Sequence, residues 1–206
     1  DKMDWLDRLC AFLIQHPDIR TKRIFIIFSI FMGNGKSSWF SFMKCIMGCD
    51  NVSFWDTLSA FQDPFDLTTA MRLINFIDDV SAASVKECKS LNSRATLTEK
   101  YFNEKCEKRI LLDVFDSLWI SSNDVNPLFE PAEGRRACYL KVSDKYNVNS
   151  IAFFTKLYNE FENKNIAKAF FDYYATYELP KDWSPVPRFD PWPECQAAQK
   201  EMCMDK

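Results

Sequence analysis

The residues best suited to chemistry form a short run, Met32-Gly33-Asn34-Gly35-Lys36-Ser37-Ser38, which holds two of the four glycines in the whole chain. Backbone N–H groups of such a loop, followed by the start of a helix, make a cradle for phosphate. Lys36 is placed to neutralise the outer phosphates and the Ser37 hydroxyl to hold Mg²⁺, so Gly33, Asn34, Gly35, Lys36, Ser37 and Ser38 are the candidate nucleotide-binding set. A bare Gly-Lys-Ser also fits a turn with a helix-capping serine. The densely apolar segment before it and the helical pattern after it favour phosphate. The full pattern G-x-x-x-x-G-K-[ST] has glycine at position 30, where this chain has Ile30. A β-branched residue resists positive φ, which predicts an altered start to the loop or reduced activity.

A triphosphate site also needs a carboxylate for magnesium and a group to activate or orient water, at the end of a strand beside the loop. Leu73-Ile74-Asn75-Phe76-Ile77-Asp78-Asp79 supplies the pair: Asp78 to hold the metal through water, and Asp79 to polarise the nucleophilic water. A strand-ending Asp-Asp turn is the plainer alternative. Leu118 to Asn123 is another apolar run with a polar end, and Asn123 is placed to orient water or contact the γ-phosphate, although asparagine also ends strands for conformational reasons. Arg135 and Arg136 could act as an arginine finger on a neighbouring subunit's nucleotide, or be a solvated loop pair.

Positioning these groups requires a particular set of elements. Residues 3–15 carry apolar side chains on one helical face and stop at His16-Pro17. Arg23 to Met32 reads as a central buried strand, the glycine loop follows, and Ser37 to Met47 reads as a helix stopped by Gly48. Further strands are expected near Asn51–Phe54, Leu73–Ile77, Leu118–Ser121 and Ala137–Val142, with helical stretches at Asp66–Met71 and Ser150–Tyr177. This alternation predicts an α/β fold whose mostly parallel sheet has helices on both faces. Five of the nine prolines lie between Pro180 and Pro193, which predicts an extended tail rich in Pro and Trp. The expected division is a bracing helix at 1–20, a nucleotide-hydrolysing core at 21–148, and C-terminal helices with the tail at 149–206.

With 206 residues, 47% of them hydrophobic, the chain can bury a core, so disordered and collagen-like classes are excluded. The net charge of -3 argues against coating nucleic acid through bulk charge. Locally the balance reverses. Between Lys86 and Arg109 seven basic residues, Lys100 and Lys105 among them, face four glutamates. With Tyr101 and Phe102 adjacent, this suits backbone contact and base stacking on single-stranded nucleic acid, against the alternative of a solvated hairpin. The eight cysteines include no C-x-x-C pair and there is one histidine, so reduced cysteines in a cytoplasmic or nuclear, non-secreted protein are expected rather than zinc or disulfides. The apolar run Ile24–Met32, broken by Ser29, is too short to cross a bilayer, and no membrane partner is expected. The absence of an initiator methionine suggests a piece of a longer polypeptide.

In this order the motifs resemble the superfamily 3 helicase module of phage, poxvirus-like and mobile-element primase-helicases. MGNGKSSW resembles its Walker A motif, LINFIDDV its Walker B, KSLNSRATLTEKYF its B-prime element, LWISSND its motif C and EGRRACYLKVS its arginine-finger segment, and the tail AKAFFDYYATYELPKDWSPVPRFDPWPECQAAQKEM resembles the stretch that follows, so the resemblance covers about Thr21 to Met202. Asp79 stands where glutamate is usual and Ser93 where threonine is usual. The resemblance implies an AAA+-type P-loop core, ATP and Mg²⁺, DNA unwinding driven by ATP hydrolysis, and a hexameric homo-oligomer with arginine supplied in trans. It also implies single-stranded DNA bound through Lys89, Lys100 and Lys105 around a hairpin, a primase domain upstream, and a site of action in the host cytoplasm or nucleus. Two other readings use the same residues: a nucleotide-binding scaffold with weakened turnover, and a small-molecule P-loop kinase, which would need a second substrate pocket and a lid.

Overall fold

The computed structural model describes residues 2–63, 68–81, 83–103, 108–124, 127–128 and 136–185. Helix α1 (Lys2–Gln15) buries Trp5, Leu9, Phe12 and Leu13 and ends before Pro17, as its apolar spacing and the His16-Pro17 step require. Strand β1 (Ile24–Phe28) is buried at all five positions. It stops earlier than the apolar run suggests. Its partners run out: Phe28 is paired with Ser122 on one side and Lys141 on the other, and the ladder carries on past that pair by one bond on each side, Ser29 N–H to the Ser122 carbonyl and Val142 N–H to the Phe28 carbonyl. Ile30, Phe31 and Met32 therefore belong to the following loop and are 61%, 49% and 75% exposed.

Helix α2 (Lys36–Met47) begins at the glycine loop and ends at Gly48, whose φ of 87° is readily accessible only to glycine. Next come β2 (Val52–Trp55), the short helix α3 (Leu58–Phe61), a 3₁₀ turn at Thr68–Met71, and β3 (Ile74–Ile77). Helix α4 (Val85–Thr96) opens with a complete capping box, in which Ser84 and Glu87 exchange bonds with each other's backbone N–H. The hairpin β4 (Glu99–Phe102) and β5 (Ile110–Asp113) follows, then β6 (Ser117–Ser122), β7 (Ala137–Lys141), α5 (Ile151–Phe161) and α6 (Lys164–Ala175). Within the basic stretch, Lys86, Lys89 and Arg94 thus lie on a helix and Lys100 on the first strand of the hairpin.

The five main strands pair in the order β2-β3-β6-β1-β7, every pair parallel. Alternation along each strand divides the core between two faces. Phe25, Ile27, Phe76, Trp119 and Leu140 point toward α1 and α2, while Ile24, Ile26, Phe28, Ile120 and Tyr139 point toward α3 and α4. The expected mostly parallel sheet with helices on both faces is observed. Residues 186–206, which hold much of the Pro/Trp-rich tail, lie outside the described residues.

The hairpin stands on a buried ionic knot. Asp116, with its side chain wholly inaccessible, accepts from the Arg20 guanidinium at 2.8 Å and the Arg94 guanidinium at 3.1 Å, and from Asn75 Nδ2 at 2.7 Å. Arg20 also donates to the carbonyls of Arg94 and Leu97, which satisfies the C-terminal end of α4 where the hairpin begins. Val114 N–H donates to the Thr98 carbonyl at 2.8 Å and closes the hairpin's base.

Candidate functional site

The crevice beyond the carboxyl ends of parallel strands is where open α/β sheets bind ligands. Here the ends of β1, β6 and β3 lie side by side, because β6 is inserted between the other two. That order brings the glycine loop, Asn123 and the Asp78-Asp79 pair together across separations of 41 to 87 residues.

Within the loop, Gly33 and Gly35 take φ of +68° and +92°. Both also allow a close approach. A Cβ at Gly33 would stand 2.9 Å from the Val148 Cα, and one at Gly35 would stand 2.7 Å from a ring carbon of Phe154. Ile30 does not carry the strain that its β-branch suggests. Among the described residues the only non-glycine positions with positive φ are Lys22 and Asp79, so the loop starts without a left-handed residue at position 30. Ser29 helps to shape that start by accepting from the Phe31 N–H at 3.0 Å.

Lys36 Nζ donates to Asn123 Oδ1 at 2.7 Å, to the Phe31 carbonyl at 3.1 Å and to Asn34 Oδ1 at 3.4 Å. Partial burial lowers its pKa, while the nearby charges of Asp78 and Asp79 act in the opposite direction. Asn123 Nδ2 in turn donates to Asp79 Oδ1 at 2.8 Å, so a single amide bridges the lysine and the second aspartate. Asp79 adopts a φ of 49°, a conformation more accessible to aspartate than to most residues, and its N–H is held by Ser121 Oγ at 3.0 Å. The same Ser121 hydroxyl donates to Asp78 Oδ1, and Ser37 Oγ donates to that oxygen at 3.4 Å.

Ser121 is a side chain of this cluster that sequence reasoning overlooked. Its signal is the Ser-Ser step just before Asn123, which reads as strand filler. Ser38 makes a hydrogen bond that sequence could not reveal, shared with the Tyr158 hydroxyl at 2.9 Å, which ties the first turn of α2 to α5. Between the loop and α5 lies a cavity of about 480 Å³, walled by Gly33 to Ser37 on one side and by Ile151, Phe154 and Tyr158 on the other.

Two observations test whether these residues fit a magnesium nucleotide. Asn34 is 4% exposed and lines this cavity, yet its Nδ2 finds no acceptor among the described residues, leaving a buried donor suited to a phosphate oxygen. Ser37 Oγ and Asp78 Oδ1 are hard oxygen ligands close enough to share one small cation, and Mg²⁺ ordinarily takes few protein ligands and completes its shell with phosphate and water. On both counts the residues fit the group.

The remaining candidates are dispersed. Arg136 precedes β7, its carbonyl accepting from the Ile24 N–H at 2.8 Å. At about 3.3 Å per residue it stands some 16 Å along the sheet from Lys141, at the end opposite its own chain's glycine loop. It lines a cavity of about 540 Å³ with Lys89, Asn92 and Ser93 of α4. Lys100 lies on β4, its ammonium 5.0 Å from the Phe102 ring centre, and it borders a different cavity with Ser90 and Arg94 on another side of α4. Lys89 and Lys100 therefore border different cavities, and Arg94 is withdrawn from the basic surface by Asp116. Lys105 and Arg135 lie outside the described residues.

No family model matches this chain, and no curated protein is similar to it at a significant level. Solved structures do match. An apo structure of the NrS-1 C-terminal region, residues 305–718, superposes with a TM-score of 0.78 at 21% identity, covering 98% of this chain and 47% of that one. The chain has the fold of part of the NrS-1 C-terminal region. The A form apo structure of the same region gives a TM-score of 0.75 at 20% identity and covers 98% of this chain and 46% of that one. The chain spans about half the length of these NrS-1 structures, and at this identity the likeness concerns the fold.

Among the described residues no helix is long and apolar enough to cross a membrane. Cys10, Cys45, Cys49, Cys88 and Cys138 form no disulfide with one another, while Cys106, Cys195 and Cys203 lie outside the described residues.

Proposed function

We propose that this chain is the ATP-hydrolysing module of a superfamily 3-type DNA helicase, acting as a hexameric ring on single-stranded DNA during viral or mobile-element replication. The observation that carries this reading is the hydrogen-bonded chain Lys36–Asn123–Asp79 beside Ser37–Asp78–Ser121, assembled from three adjacent strand ends. The fold shared with the NrS-1 C-terminal region and the motif order support it.

On this reading the loop N–H groups and Asn34 Nδ2 bind the phosphates, and Lys36 exchanges its three neutral oxygen partners for phosphate oxygens. The new acceptors are anionic, so the ammonium gains Coulomb attraction that neutral carbonyl and amide oxygens do not provide, which favours the exchange. Bound Mg²⁺ supplies neutralisation of charge developing on the transferred phosphoryl group. Ser37 and Asp78 hold it, with Ser121 fixing the orientation of the Asp78 carboxylate. Asp79 accepts the hydrogen bond of the attacking water, and Asn123, released from Lys36, orients that water or contacts the γ-phosphate. Arg136 stands too far from its own loop to act there, which supports a role on a neighbouring subunit for the Arg135-Arg136 pair.

The scaffold reading draws on Asp79, which is one methylene shorter than the usual glutamate. Phosphate release with and without single-stranded DNA separates the readings. DNA-stimulated turnover that is abolished in folded Lys36→Ala is expected. Turnover that depends on a small acceptor would establish the kinase, and nucleotide binding without turnover the scaffold.

A further inference from the structure

A small cavity of about 60 Å³ lies at the root of the hairpin, where the end of α3, one face of α4 and strand β4 meet. Its walls are Phe61, Gln62, Ser90, Leu91, Arg94 and Lys100. Gln62, Ser90, Arg94 and Lys100 all carry side-chain hydrogen-bond donors, the last two are cations, and no carboxylate lines the cavity among the described residues. The space is several times the roughly 10–15 Å³ that one water needs.

Two of these side chains hold buried donors that nothing in the fold uses. Arg94 is 6% exposed, and only its Nη2 finds acceptors, Asp116 Oδ2 at 3.1 Å and the Thr69 carbonyl at 3.5 Å. Arg94 Nε and Nη1 and Gln62 Nε2 find none among the described residues. Buried polar groups are nearly always paired, so three orphaned nitrogens on the walls of one cavity point to an acceptor supplied from outside the chain.

Charge points the same way independently. Asp116 is the one carboxylate paired with the buried guanidiniums of Arg20 and Arg94 among the described residues, which leaves the knot with a positive charge in excess. Lys100 adds a second: its ammonium and the Arg94 guanidinium lie 5.0 and 5.8 Å from the centre of the same Phe102 ring. Like charges gathered around one ring repel, and an anion beside both offsets that repulsion.

We propose that this cavity binds a phosphate group, either free or carried by a nucleic-acid strand. Donors arriving from α3, α4 and β4 suit the several oxygens of a tetrahedral anion, and two cations match its charge. Gln62 and Arg94 lie outside the set Lys89, Lys100 and Lys105 assigned to DNA from sequence, and the cavity shares no residue with the glycine loop. The inference therefore stands apart from the nucleotide-binding reading.

Titration calorimetry of inorganic phosphate into the Lys36→Ala chain, whose glycine loop has lost its cation, tests it at an ionic strength held constant with chloride. Saturable binding at one site is expected. Gln62→Leu, which keeps the side chain's size, should weaken it about tenfold or more, as the loss of a hydrogen bond to a charged group implies. Ser90→Trp, which fills the cavity from the exposed side of α4, should abolish it. Neither substitution alters Arg20, Arg94 or Asp116, so both variants keep the ionic knot, and thermal unfolding checks that they are folded. Competition with single-stranded oligothymidine identifies the source: displacement of phosphate assigns the site to a strand, and undiminished phosphate binding beside bound strand assigns it to free phosphate. Absence of saturable phosphate binding would overturn the proposal. So would affinity unchanged in both folded variants, since the anion would then lie elsewhere.

Discussion

Replacing Asp116 with asparagine keeps the side chain's size and one carbonyl oxygen but removes the negative charge that faces two buried guanidiniums, whose side chains are 5% and 7% exposed. Losing one partner of a buried ion pair costs about 3–5 kcal/mol, because the remaining charge is left without compensation. Asp116→Asn should fall near the lower end, about 3 kcal/mol, since Arg20 keeps the Arg94 and Leu97 carbonyls. Arg94 has less to fall back on: its Nε and Nη1 already find no partner among the described residues. Urea denaturation followed by tryptophan fluorescence measures the loss, and with a slope of about 2 kcal/mol per molar the midpoint should drop by about 1.5 M. A second variant isolates the cause. Arg94→Met in the Asp116→Asn background removes one stranded charge, so the double variant should be less destabilised than the sum of the singles by about 1 kcal/mol or more. A single-variant loss under about 1 kcal/mol, or strict additivity, would refute the view that the knot is an electrostatic unit. The consequence for function is local: because the knot holds the end of α4 where the hairpin begins, DNA affinity should fall in Asp116→Asn at temperatures where the chain is still folded.

Asp79→Asn keeps an oxygen for the Asn123 amide, so it should bind Mg-ATP normally and lose turnover, whereas Asp78→Asn should weaken metal affinity; identical behaviour in phosphate-release and metal-titration assays would contradict the separate roles. Burial lowers the Lys36 pKa, and phosphate favours the protonated form, so ATP affinity should be flat near neutral pH and fall as pH rises, at lower pH than an ordinary lysine would dictate; binding isotherms across alkaline pH check the sign. Neutralising Lys100 should weaken single-stranded DNA binding and flatten its salt dependence by roughly one unit of slope for each phosphate no longer neutralised, measured by fluorescence anisotropy against salt. An Arg135→Ala/Arg136→Ala chain should bind ATP but hydrolyse it about 10³-fold more slowly, and mixing it with Lys36→Ala should restore some activity; inactive mixtures despite confirmed co-assembly would exclude action in trans.

Sequence by itself determined the parts whose signals are local. A buried strand ending in a polar group is legible wherever an apolar run meets Asp or Asn, and this located β1 with its glycine loop, β3 with Asp78 and Asp79, and β6 with Asn123. The 3.6-residue apolar spacing marked α1, and Gly48 the end of α2. Tertiary structure decided whatever depends on which strands become neighbours. Nothing local announces that β6 inserts between β1 and β3, yet that insertion places Asn123 2.7 Å from Lys36 and makes Ser121 the support for Asp78. The same limit explains the differences between expectation and fold. Ile30, Phe31 and Met32 look like strand by hydrophobicity but lie beyond the last paired positions of β6 and β7, and hydrogen-bonded pairing, not side-chain polarity, ends a strand. Arg94 counts as basic surface by composition, but a residue 22 positions downstream buries it. Charge can be read from sequence one residue at a time, whereas the solvent and the partner that decide its effect are chosen only when the chain closes on itself.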